Sequence, residues 1–285
     1  MKKYLVCFGD SSLKLSKWIL NIEAKTMNVY DEILFYDESS LDEDFMRNYK
    51  SIMYNHRGFG YWMWKPQIIL QILNKINQGD IINYIDIGCK FNFLARKRLL
   101  EYFSIVNSSK GILAFQYGNS KDFTGMNSLN FLEKQFTKGD LFSFFGLSND
   151  SLEANTFQYQ AGVIFIKKCD FSINLIKEWS RISKIKNLID DSPSETKNFK
   201  NFIDHRHDQS IFSLLCKKNN VKTLSAYETE PLSLKEAFKN RTLYKYPIIT
   251  IRRKQKTILP FIKKNVFELI KQLISLFLKK KKIHF

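Results

Sequence analysis

The chain has 285 residues, 44% of them hydrophobic, enough for one substantial core and too short for two large domains. Its formal charge is +17, yet about 15 basic residues lie from Lys235 onward against Glu236 and Glu268, so the excess belongs to the C-terminal end and the rest is nearly balanced. Cys7, Cys89, Cys169 and Cys216 form no CxxC pair, which excludes a disulfide framework or structural zinc and fits a reducing cytoplasm. The opening MKKYLVCFGD is too short in apolar residues for a signal peptide, and no run of about 18 apolar residues suits a spanning helix.

In chain order, the apolar run Lys3 to Phe8 predicts a buried strand, ended by Gly9 to Ser12 before a helical pattern over Leu13 to Lys25. Glu32 to Tyr36 predicts a second strand. Pro66, at a first-turn position, opens a helix with Ile68, Ile69, Ile72, Leu73 and Ile76 on one face, and Gly79 closes it. Ile81 to Ile85 is read as a strand, Ala95 to Val106 as a helix and Ile112 to Gln116 as a strand. This alternation predicts an α/β fold with a mainly parallel sheet flanked by helices.

A less regular middle including Thr137 to Leu147 precedes a strand over Ala161 to Ile166 and a helix from about Ser172 to Ser183. Lys184 to Ile203, rich in turn formers at Asp190 to Ser194, is expected to be a flexible loop of the kind that serves as a lid. His207 to Lys218 predicts a helix and Ile248 to Ile251 a last strand. Residues 1–255 form the expected domain and 256–285 a basic tail. There, Ile262, Val266, Leu269, Ile270, Leu273 and Phe277 make one helical stripe before Lys279 to Lys282. Such a helix either lies in the plane of an anionic bilayer or docks on the domain with its lysines in solvent.

Four segments carry candidate chemistry. In DIINYIDIGC an apolar strand ends on Asp86, followed by Gly88; ligands of open α/β sheets collect there, and an Asp so placed either accepts a ligand hydroxyl or simply ends a turn. In RGFGYWMWKP, Arg57 and Lys65 are suited to neutralising a diphosphate, while Trp62 and Trp64 fit either a stacking platform or the core. QYQAGVIFI places the small Ala161 and Gly162 where a strand begins. HRHDQSIFSLL sets Asp208 and Gln209 at a helix start, where Asp208 is also a natural cap, with His205 and His207 beside them as metal ligands or ordinary loop residues.

The order of these motifs resembles the GT-A fold, Rossmann-like glycosyltransferases of the galactosyltransferase and glycogenin type. RGFGYW through HRHDQSIFSLL also resembles sugar transferases of bacterial capsule and lipopolysaccharide clusters, and the likeness covers about residues 3–225. The resemblance implies that Asp86 matches the first acid of a DxD motif, that Gln160, Ala161 and Gly162 match an NAG strand lining the donor sugar, and that Asp208 and Gln209 match a DQ pair near the reacting carbon. It implies a nucleotide-sugar donor, a glycan or lipid-linked acceptor, and a divalent metal, Mn or Mg. Gly88 departs from the pattern by replacing the second acid of DxD. Metal binding then rests on Asp86 with His205 or His207, or Arg57 and Lys65 stand in for the cation. The implied setting is cytoplasmic, at the inner face of the cell membrane. A non-catalytic membrane-associated α/β protein is the alternative; a nucleic-acid-binding module lacks any supporting signature.

Overall fold

A computed structural model describes residues 1–55, 57–118, 131–230 and 245–250. Among the described residues there are eight strands: β1 (Lys3–Phe8), β2 (Glu32–Tyr36), β3 (Ile81–Ile85), β4 (Cys89–Phe91), β5 (Ile112–Gln116), β6 (Tyr159–Lys167), β7 (Lys222–Ser225) and β8 (Ile248–Thr250). Six form the main sheet in the order β2-β1-β3-β6-β5-β7, and β4 pairs with β8 in a separate ribbon. β1 runs parallel to β2 and β3, and β5 parallel to β7; β6 alone is reversed, lying antiparallel to both β3 and β5.

Both faces of the sheet are covered, which is why its central strands read as continuous apolar runs. Along β1 the side chains alternate between two cores, with Tyr4, Val6 and Phe8 in one and Leu5 and Cys7 in the other. The first core also takes Ile164 and Ile166 from β6, with Ile68, Ile69, Trp179 and Phe212 from the helices Trp64–Lys75, Asp170–Ser183 and His207–Lys218. The second packs Val163 and Phe165 against Leu20 of Lys14–Met27 and against Tyr102 and Phe103 of Arg96–Ser108. Phe165 meets those two rings edge-on at 5.4 and 5.1 Å, an arrangement that adds about 1 kcal/mol per pair beyond area burial. The layered α/β architecture expected from the sequence is present.

Differences from the sequence reading have local causes. The helix carrying Pro66 begins two residues earlier, at Trp64, because a proline within the first turn forfeits no intrahelical hydrogen bond. Glu43–Asn55 is an additional helix, and β4 and β7 are additional short strands. The loop expected over Lys184 to Ile203 contains the short helix Lys186–Ile189 and is strapped down instead of standing free. The Lys138 ammonium donates to the carbonyls of Asp190 and Ser192 and to the Asp190 carboxylate, and Asp140 accepts from the amides of Glu195 and Thr196. Gly139 is needed there, since a Cβ would meet the Thr196 carbonyl at 2.4 Å. The tail at 256–285 lies outside the described residues.

Candidate functional site

The site begins where β3 ends. Asp86 follows Ile85 directly, and its amide donates to the Gly162 carbonyl of β6 at 2.9 Å while its own carbonyl accepts from Cys89, so the backbone is pinned on both sides. Tyr84, two residues earlier and thus on the same strand face, donates its hydroxyl to Asp86 Oδ1 at 2.8 Å. Burial, followed by the neighbouring Asp86 charge, pushes the Tyr84 phenol well above its ordinary value, so it stays a donor.

Lys65 converges on the same carboxylate from the first turn of Trp64–Lys75. Its Nζ lies 2.8 Å from Asp208 Oδ2 and 3.4 Å from Asp86 Oδ1, and donates to the Ala161 carbonyl at 3.1 Å. A cation in the first turn opposes the helix dipole, so the two carboxylates, not its own helix, account for its position. Burial alone would discharge the amine; Asp208 and Asp86 outweigh it and keep the ammonium above its ordinary value. Asp208 responds oppositely. Its burial exceeds the pull of Lys65 and raises its carboxyl to about 6, so Asp208 takes up a proton first as pH falls while Lys65 stays charged.

Asp208 is the second residue of His207–Lys218, with Arg206 at the cap position, so capping does not explain it. Trp179 Nε1 donates to its carbonyl at 3.0 Å, fixing the turn from beneath. Its neighbour Gln209 is half-buried and accepts from the Ala161 amide at 3.4 Å while donating to Gln158 Oε1 at 2.9 Å. Gln160 donates to the Thr229 hydroxyl. Gly162 lies close to the site: a Cβ there would sit 3.0 Å from Asp86 Oδ2 and push that side chain aside.

The structure therefore brings together Asp86, Lys65, Gln160, Ala161, Gly162, Asp208 and Gln209. The Asp86 side chain keeps 41% exposure while Lys65 beneath it keeps 3%. The carboxylate is thus partly open to solvent over a buried cation. Gly88 is half-buried in the adjoining turn.

Arg57 stands apart from this group, exposed, with its guanidinium 5.8 Å from the Trp62 ring. It begins a left-handed turn in which Gly58, Phe59, Gly60, Tyr61 and Trp62 have φ of 67°, 53°, 78°, 55° and 59°. The three aromatic residues each carry roughly 1–2 kcal/mol of steric cost in that region, and packing must offset it. Phe59 packs on Phe8 and Tyr54, and Tyr61 and Trp62 lie 4.9 and 5.7 Å from the His207 ring. The glycines are obligatory: a Cβ on Gly58 would strike the Trp62 ring at 2.5 Å. Trp64 belongs to the core, stacked on Phe8 at 3.9 Å, whereas Trp62 is partly exposed.

The two histidines have other partners. His205 Nε2 is 3.0 Å from the Leu188 carbonyl and its Nδ1 accepts from the Lys138 amide; burial lowers its pKa to about 3 and keeps it neutral. His207 Nδ1 donates to the Ile189 carbonyl at 2.7 Å, and Nε2 lies 3.5 Å from Asp191. The expected grouping of Asp86 with a histidine is not what the described residues assemble; no three His, Cys, Asp or Glu side chains among them could hold a metal ion. Sequence reasoning also missed Tyr84 and Gln158. The period of two along β3 points to the first; the second opens QYQAGVIFI, but its role comes only from partners elsewhere in the chain.

No protein-family profile matches the chain, and no curated protein is similar to it in sequence. Among solved structures, the chain is similar to a glycosyltransferase involved in glycosylation of the major capsid of PBCV-1, at 9% identity over 90% of this chain and 95% of that one, with a TM-score of 0.50. It also matches the bifunctional glycosyltransferase WbbM at 14% identity over 90% of this chain and 46% of that one, with a TM-score of 0.49. The galactosyltransferase LgtC follows at 13% identity over 87% and 86%, with a TM-score of 0.41. At such identity the likeness to the first of these defines the fold, which is that of the GT-A glycosyltransferases.

Proposed function

We propose that this chain is a glycosyltransferase that moves a sugar from a nucleotide-sugar donor to a glycan or lipid-linked acceptor of a bacterial surface polysaccharide, such as a capsule or lipopolysaccharide. The observation that carries this reading is the convergence of Asp86, Lys65, Asp208 and Gln209 around Gly162 at the carboxyl end of β3, the edge where open α/β sheets take ligands. Asp86 Oδ2 accepts from a donor hydroxyl, and Gly162 leaves the space for it. Lys65 fixes both carboxylates, and Arg57 meets the diphosphate from the rim. Asp208 and Gln209 face the carbon whose bond to the leaving diphosphate breaks, where positive charge develops.

A divalent cation does not fit the described donor set. Gly88 supplies no ligand, Asp86 Oδ1 and Asp208 Oδ2 already serve Lys65, both ring nitrogens of His205 are taken by backbone, and no three His, Cys, Asp or Glu side chains among the described residues are grouped to hold an ion. Hard cations need several oxygen ligands, which this set does not supply. A thermal-shift screen across nucleoside diphosphates and nucleotide sugars, with and without manganese, tests the reading. A nucleotide-dependent rise in melting temperature is expected; no response to any nucleotide contradicts it.

The basic tail supports a second element of the proposal, attachment to the anionic inner face of the cell membrane. No helix among the described residues is long and apolar enough to cross a membrane. Removing residues after Thr257 should abolish flotation with anionic liposomes; undiminished flotation refutes the attachment.

A further inference from the structure

Behind the proposed site lies a chain of polar groups that determines which end of the Gln209 amide is turned to the sugar. It starts at Glu133, fully buried, whose carboxylate accepts from Thr137, Gln158 and Ser213 and pairs with Lys217 at 2.8 Å. A carboxylate so loaded only accepts. Gln158 Nε2 lies 3.0 Å from Glu133 Oε1 and 3.2 Å from the Phe136 carbonyl, both acceptors. Its NH₂ must face them, so its carbonyl oxygen points the other way, and Gln209 Nε2 donates to that oxygen at 2.9 Å. On the far side the Ala161 amide, which only donates, meets Gln209 Oε1 at 3.4 Å. Two independent constraints thus give one amide orientation.

We propose that Gln158 is a positioning residue: anchored by Glu133, it locks the Gln209 amide with its oxygen on the Ala161 edge of the site. That oxygen, held by the amide of Ala161, whose carbonyl accepts from Lys65, presents a fixed partial negative charge where the transferred sugar becomes oxocarbenium-like. A freely rotating amide would offer N–H to the same place for part of the time and oppose the developing charge. The inference rests on the glycosyltransferase reading and adds to it Gln158, the first residue of QYQAGVIFI, to which that reading gives no role.

The test uses whichever nucleotide sugar stabilises the full-length wild-type protein, with release of nucleoside diphosphate as the turnover assay. Gln158→Met removes the lock. Gln158→Lys still donates toward Glu133 but cannot accept, so it sets a donor against Gln209 Nε2 and works against the orientation held by the Ala161 amide. Gln158→Asn, one methylene shorter, cannot reach both partners and replaces either variant that fails to fold. Turnover should fall about 10-fold in Gln158→Met and about 100-fold in Gln158→Lys, with donor affinity unchanged within about twofold, as for loss of a charge-stabilising group that acts in the transition state. Unchanged turnover in a folded variant overturns the proposal, and so does a parallel loss of donor affinity, which marks a purely structural role. If no nucleotide sugar binds or is turned over by wild type, the glycosyltransferase reading itself falls.

Discussion

Two buried lysine–carboxylate clusters flank β6, and they are built differently. Around Glu133 every partner is internal: Lys217, Thr137, Gln158 and Ser213 consume the carboxylate, and none of it reaches solvent. Around Lys65 the ammonium is saturated by Asp208, Asp86 and the Ala161 carbonyl, yet Asp86 keeps an exposed face. A closed polar network specifies structure. An open one, held rigid from below and unfinished above, is a place for a ligand.

The comparison breaks first on stability. Glu133→Leu leaves Lys217 buried without a counter-charge, in a position where burial already lowers its pKa, and should cost about 3–5 kcal/mol in urea denaturation. Adding Lys217→Met should restore most of it. Lys65→Met should cost only about 2 kcal/mol at pH 7, because Asp208 escapes by protonation and Asp86 by solvation. Equal losses at the two sites would erase the distinction drawn between them.

Much of this contrast was legible in the sequence, though unevenly. β3 and Asp86 stood out because an apolar run stopped on an acid, and Asp208–Gln209 because they open a helix. The burial of Lys65 was not legible, since its partners arrive from β3 and from a helix about 140 residues later. The roles of Glu133 and of Gln158, the residue that opens QYQAGVIFI, were not legible for the same reason: they lie in an irregular stretch and at a strand entrance, and only tertiary contacts give them meaning. The left-handed turn after Arg57 showed its glycines but not that three aromatic residues would share their conformation. The histidines looked like ligands only until their carbonyl partners on Leu188 and Ile189 came into view.

Smaller effects sharpen the picture. Gly162→Ala places a methyl 3.0 Å from Asp86 Oδ2 and should weaken nucleotide-sugar binding about 10-fold in calorimetry, with a stability change under about 1 kcal/mol. Titration of Asp208 gives a separate, pH-dependent readout. Its folded pKa of about 6 exceeds the unfolded 3.8, so its stabilising contribution is complete below the lower value and is lost as pH rises through the upper one. Between pH 4 and 6 the wild-type melting temperature should therefore fall relative to Asp208→Asn as pH increases. Parallel curves would contradict the raised value.

The most direct measurement is nucleoside diphosphate binding by calorimetry in wild type and in Asp86→Ala, with melting temperature recorded for both. Asp86→Ala should fold with nearly unchanged stability and lose the binding seen in wild type. Binding that survives the substitution would contradict this, because the exposed carboxylate over Lys65 would then not be what holds the donor.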